Sequence, residues 1–338
     1  MKHTSGWSCE EVPGVPVDGQ EERVTPLDRR VRFYGLVSRT VPGLAVASMP
    51  DDRLPRVQHR APPHNRVLDA LFGRVAPGVA IADRTIPGPG GDLPVRTYTP
   101  SKAGVHRLVV HFHGGGWVVG SVGQADHLAS SIAARADAVV VSVDYRLAPG
   151  HRFPSAVDDC DAALRWAAGH ATALGADPAR IGVVGESAGG NLAAVVCLLA
   201  RDRNGPQISH QALLYPVTDV SRPPDDPRHA RTPVLTTGDM AFFRERYLGS
   251  DGDPSDPRVS PLLAPDHRGL PPALVQVAEH DPLRADGVRY AAALRAAGVP
   301  VRFTEYVGMP HGYLNLPGLC RSAPQALSEV CTEIAATV

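Results

Sequence analysis

The sequence predicts an α/β fold, a mostly parallel central sheet with helices on both faces. Two observations predict it. Unbroken β-branched runs such as Ala138-Val139-Val140-Val141 read as strands buried on both sides. These runs alternate with helical patterns along most of the chain, and that rhythm implies parallel strands joined by right-handed crossovers.

The regular part opens at 80–100. There Pro87-Gly88-Pro89-Gly90-Gly91 separates two short strands and reads as an antiparallel hairpin at the sheet edge. Strands are then expected at 107–113, 138–145, 180–185, 211–217, 273–278 and 301–306. Helices are expected at 126–136, 155–174, 190–202, 284–298 and 323–337. Between 218 and 256 the alternation breaks into a Pro/Asp/Arg stretch and one helix, 237–248. An insertion at the end of a strand would sit over the sheet edge where α/β sites lie. The first 63 residues are rich in Pro, Arg and Asp, with one apolar patch at 31–47, and read as partly disordered and partly packed on the body. No internal repeat is present.

Composition narrows the function classes. The chain has 338 residues, 43% of them hydrophobic, enough for one large domain with insertions or for two smaller ones. Lys and Arg number 34 against 35 Asp and Glu, with no basic block, so nothing electrostatic points to nucleic acid. The five cysteines, Cys9, Cys160, Cys197, Cys320 and Cys331, are odd in number and show no C-x-x-C spacing. They read as free thiols, buried in the case of Cys160 and Cys197, and as a sign of a reducing, cytoplasmic compartment. Residues 1–20 carry no apolar leader core, and no run of about 18 apolar residues exists, so neither a signal peptide nor a membrane partner is expected.

Gly185-Glu186-Ser187-Ala188-Gly189 falls where a predicted strand gives way to a predicted helix. That is the setting of a G-x-S-x-G elbow, in which a strained serine is exposed and its neighbours must be small. The helix start also turns free N–H groups and a positive dipole end toward an oxyanion. A capped turn is the plainer reading, and in a chain with 33 glycines the pattern alone is weak. A serine nucleophile needs a base and an acid to orient it. Asp281, in Glu279-His280-Asp281-Pro282, and His311, in Pro310-His311-Gly312, each follow a predicted strand on the same edge. The order Ser…Asp…His fits a hydrolase of this architecture. Glu279 competes for the acid role but sits tight against the strand end. His111-Phe112-His113-Gly114-Gly115-Gly116-Trp117 supplies glycine amides for an oxyanion. His111 and His113 without a third ligand are weak evidence for metal.

Five segments in order, HFHGGGW from His111, VDYRLAP from Val143, GESAGGN from Gly185, DPLRADG from Asp281 and MPHGY from Met309, resemble the hormone-sensitive-lipase-like family of α/β-hydrolase esterases. The resemblance spans about residues 107–315. It implies an α/β-hydrolase fold with Ser187 as nucleophile, His311 as base and Asp281 as orienting acid. It further implies an oxyanion hole from the amides of Gly115, Gly116 and Ala188, and a structural role for His113 in holding the glycine loop. It implies a cap formed by the N-terminal segment, 1–65, and the insertion, 218–256, over a core built from 66–217 and 257–338. Two departures stand out. Glu186 replaces the family's usual Asp, and Gly150 replaces a common Glu after Pro149, which removes a local ion pair.

The sequence therefore reads as a serine carboxylesterase acting on short- to medium-chain acyl esters of small molecules, with no cofactor or metal required. Trp117, Phe242, Phe243, Tyr313 and Leu316 are candidate walls of an apolar pocket, though each could equally be plain packing. An N-acetyl or amide hydrolase, or an acyltransferase, would use the same triad. A ligand receptor on this fold would be expected to lack a triad member. Oligomeric state is left open, a homodimer being one option.

Overall fold

A computed structural model describes residues 25–40, 47, 49–59, 61, 65–223 and 232–338. Cys9 and the rest of residues 1–24 lie outside the described residues, as does 224–231 within the insertion.

The hairpin is formed by β1 (Val79–Gly88) and β2 (Gly91–Pro100), antiparallel from Val79↔Pro100 to Gly88↔Gly91. Six further strands follow: β3 (His106–Phe112), β4 (Ala138–Val143), β5 (Ala176–Glu186), β6 (His210–Leu214), β7 (Ala273–His280) and β8 (Val301–Pro310). They form one eight-stranded sheet in the order β1-β2-β4-β3-β5-β6-β7-β8, parallel from β4 onward. The last two strands run further than their apolar cores suggest, β7 to His280 and β8 to Pro310. The strand expected over 138–145 stops at Val143, and that over 211–217 stops at Leu214.

Alternation along the strands sends side chains to opposite cores. Leu108, Val110 and Phe112 of β3 face one cluster, while Val109 faces the other. On the first face lie α4 (Ser155–Gly169), α5 (Ala188–Asp202) and α7 (Arg284–Ala296). On the second lie α3 (Asp126–Ala136) and α8 (Ala323–Thr337). The helix expected over 155–174 ends at Gly169 and gives way to a 3₁₀ turn at Thr172–Leu174. Cys160, Cys197, Cys320 and Cys331 are free and buried in these layers.

Outside the layers, the N-terminal region holds α1 (Arg29–Thr40) and the short α2 (Arg66–Phe72). The insertion holds α6 (Thr237–Leu248), whose start is fixed by a capping box between Thr236 and Asp239. The segment before α6 packs on α1, since a Cβ at Gly35 would fall 2.4 Å from the Pro233 side chain.

Candidate active site

The C-terminal ends of β3, β5, β7 and β8 meet at one edge of the sheet, and each delivers a group to the same place. At the end of β5 the chain turns straight into α5, with Ser187 between them at φ 56°, ψ −118°. That conformation is costly for a residue with a side chain, and it persists only where the surroundings force it. Here the Ser187 N–H donates to Leu214 O at 2.9 Å, and its carbonyl accepts the Asn191 N–H at 3.1 Å. The positions two residues to either side admit no side chain. A Cβ on Gly185 would lie 2.1 Å from Gly189 O, and one on Gly189 would lie 1.9 Å from Phe112 O.

Asp281 follows β7 and is fully buried. Its Oδ1 accepts the Leu283 N–H at 2.8 Å, and its Oδ2 lies 2.7 Å from His311 Nδ1. His311 follows β8, with Nε2 2.9 Å from Ser187 Oγ. An imidazole that donates Nδ1–H to Asp281 presents a bare Nε2 to the serine hydroxyl. Glu279 is engaged elsewhere, accepting the Thr25 N–H at 2.8 Å and the Gly308 N–H at 2.6 Å. Of the two acids weighed for the triad, only Asp281 reaches the histidine.

The glycine loop after β3 lies against the elbow. A Cβ at Gly115 (φ 117°) would fall 1.9 Å from Val119 O, and one at Gly116 (φ 62°) would enter the Phe243 ring. Among the described residues no hydrogen bond engages the N–H of Gly115, Gly116 or Ala188. His113 Nδ1–H donates to Gly114 O at 2.8 Å, and the ring stacks on Tyr145 at 4.3 Å. Tyr145 in turn donates its hydroxyl to His113 O at 2.7 Å. Burial pushes the His113 imidazole below its ordinary pKa, which favours this neutral form. No group of three metal-ligating side chains exists among the described residues.

A largely apolar cavity of about 1520 Å³ opens in front of Ser187, His311 and the glycine loop, and both α1 and α6 contribute to its wall. Trp117, Phe243 and Leu316 line it; Phe242 and Tyr313 do not. One residue along a helix is a 100° rotation, so Phe242 points away from the cavity when Phe243 points in. Its ring lies instead 3.6 Å beneath the Arg246 guanidinium. Tyr313 is fully buried and donates to Gln276 at 3.0 Å. Sequence reasoning missed Tyr247, whose ring stacks on Trp117 at 4.3 Å and ties α6 to the glycine loop. It also missed the α1 side chains Tyr34 and Val37 on the wall. The spacing Val31, Tyr34, Val37 was the available signal for an amphipathic helix there. The turn at Gly150 is tied without an acid at that position. Arg146 donates to Asp159 through Nε at 2.9 Å and Nη2 at 2.8 Å.

Comparison with known proteins adds a family to this geometry. The family model described as alpha/beta hydrolase fold matches residues 109–315. The chain is 48% identical over 245 residues to the carboxylic ester hydrolase LipN of Mycobacterium tuberculosis, covering 70% of this chain and 65% of LipN. It is 45% identical over 258 residues to the carboxylesterase NlhH of the same organism, covering 74% of this chain and 80% of NlhH. The solved structure of a hyperthermophilic esterase from the archaeon Pyrobaculum calidifontis superposes with a TM-score of 0.81 at 34% identity, over 92% of this chain and 99% of that one. The sheet order, the strained serine between β5 and α5, and these matches together make the chain a member of the α/β-hydrolase family, in its hormone-sensitive-lipase-like branch of carboxylesterases.

Proposed function

We propose that the protein is a serine carboxylesterase in which Ser187, His311 and Asp281 form the catalytic triad. The observation that carries the reading is the unbroken relay from Asp281 to His311 at 2.7 Å and from His311 to Ser187 at 2.9 Å, ending on a serine held at positive φ. His311 Nε2 takes the hydroxyl proton as Ser187 Oγ attacks the ester carbonyl. The carbonyl oxygen becomes an oxyanion, received by the amides of Gly115, Gly116 and Ala188. His311 then passes its proton to the departing alcohol. Water, deprotonated by the same imidazole, releases the acid from the acyl-enzyme. Asp281 holds the tautomer this needs and stabilises the imidazolium.

Short- to medium-chain acyl groups are the proposed substrates, because Phe243 on α6 stands directly against Gly116 and narrows the cavity beside the reacting carbonyl. The remaining volume takes the alcohol. We read α1 and the insertion as the cap over this cavity. Four buried free thiols support a reducing, cytoplasmic setting.

The test is turnover of a short-chain nitrophenyl ester beside an acetylated arylamine of the same size. Hydrolysis of the ester alone is expected. Turnover of the amide alone would redirect the reading to amide hydrolysis, and turnover of neither would favour a receptor.

A further inference from the structure

Glu186 stands beside the nucleophile, is 2% exposed, and has no role in the reaction described above. A carboxylate so deeply buried needs partners for its oxygens. One of them, Oε2, lies 2.8 Å from His111 Nε2; the other, Oε1, accepts the Gly114 N–H at 3.2 Å. His111 is fully buried, and its Nδ1 lies 2.9 Å from Ser142 Oγ, its register partner on the neighbouring strand. With Nε2–H given to Glu186, the bare Nδ1 accepts the Ser142 hydroxyl proton. A chain of hydrogen bonds therefore runs from β4 through β3 and β5 into the first glycine of the loop. The backbone follows the same contact, since a Cβ on Gly114 would lie 3.0 Å from Glu186 O and 3.3 Å from Glu186 Cγ.

From this we propose that Glu186 is a positioning residue for the oxyanion hole. It fixes Gly114, and with it the amides of Gly115 and Gly116, relative to the serine that follows it in the chain. The proposal rests on the esterase reading. The carboxylate acts through length and connectivity rather than charge. An aspartate side chain is shorter by about 1.5 Å, one carbon–carbon bond, and would leave either His111 or Gly114 without its partner. A glutamine keeps both contacts. Its carbonyl oxygen accepts from Gly114 and its amide donates to His111 Nε2, provided His111 moves its proton to Nδ1 and gives it to Ser142.

Glu186→Gln, Glu186→Asp and Glu186→Ala are the variants to compare, each checked for native circular dichroism. Glu186→Gln is expected to keep kcat within about threefold of the parent. Glu186→Asp and Glu186→Ala should lose about 10- to 100-fold in kcat with KM changed less than about threefold, because misplaced donors act on the transition state. An alkyl boronic acid, whose adduct with Ser187 puts an oxygen where the oxyanion forms, should lose inhibition by the same factor as kcat/KM. A purely structural role would leave that match unmade. Parent-like kcat in Glu186→Ala overturns the proposal, and so does equal loss in Glu186→Gln and Glu186→Asp. Should Glu186→Ala fail to fold, the Gln and Asp pair still decides. A parent enzyme without ester hydrolysis would sink the esterase reading itself, an outcome distinct from active but Glu186-indifferent variants.

Discussion

The sheet edge that carries Ser187 and the cavity's outer wall are built in opposite ways. At the edge, Ser187, Asp281 and His311 each leave the end of a parallel strand and meet within hydrogen-bond distance. Ladder hydrogen bonds and glycines that admit no side chain fix them there. The outer wall is assembled from α1 and α6, some 200 residues apart in sequence and held to the body by side chains. Trp117 stacks on Tyr247, Arg246 pairs with Asp51 at 2.9 Å, and Gly35 leaves room for Pro233. Rigid backbone positions the chemistry, and replaceable side chains shape what reaches it.

If that division holds, substitutions at the edge should act on the chemical step, and substitutions in the wall on selectivity. The largest effect belongs to Ser187→Ala, with kcat expected to fall by about 10⁴- to 10⁶-fold while the fold survives. Near-parental turnover would break the comparison outright. Asp281→Asn comes next. It keeps the shape but favours the wrong imidazole tautomer, and a loss on the order of 10²- to 10⁴-fold in kcat is expected from steady-state kinetics. Gly189→Ala tests whether backbone packing holds the edge. Its Cβ would lie 1.9 Å from Phe112 O, and destabilisation of about 3 kcal/mol should appear in a urea melt.

The wall should answer more gently. Phe243→Ala removes the ring over Gly116 and should raise kcat/KM for branched or longer acyl esters relative to acetate by about tenfold. An equal change for all esters would mean that Phe243 supports the oxyanion loop instead. Smallest of all is the loss of the ion pair between Arg246 and Asp51. Because the Arg246 side chain also covers Phe242, the ion pair is isolated by Asp51→Asn instead: Asp51 is mostly exposed, so losing the pair should cost less than about 1 kcal/mol in a thermal melt and leave kcat unchanged.

The same contrast explains what could be read from the chain. The edge was legible because its chemistry is local: small residues around a serine between strand and helix, and an acid and a histidine each just past a strand. Even there, Glu279 and Asp281 are two residues apart, and only the extension of β7 to His280 shows which one clears the sheet to reach His311. The wall was legible only in part: Trp117, Phe243 and Leu316 line the cavity as expected, but Phe242 and Tyr313 do not, because the lining depends on which face of a helix meets which distant segment. Phe242 and Phe243 are identical in type and adjacent, yet one lies under an arginine and the other over the glycine loop at Gly116. Glu186 falls between the two cases. Its type was conspicuous in the elbow, but its partners His111 and Gly114, some 72 to 75 positions earlier, emerge only when β3 and β5 pair.

In the proposed mechanism one serine, activated by one histidine, carries the reaction. Labelling with a fluorophosphonate, followed by peptide mapping and intact mass, tests it most directly. A single adduct on Ser187, formed in step with loss of ester hydrolysis and absent from His311→Ala, is the expected result. An adduct on another residue, or undiminished hydrolysis after complete labelling of Ser187, would contradict it.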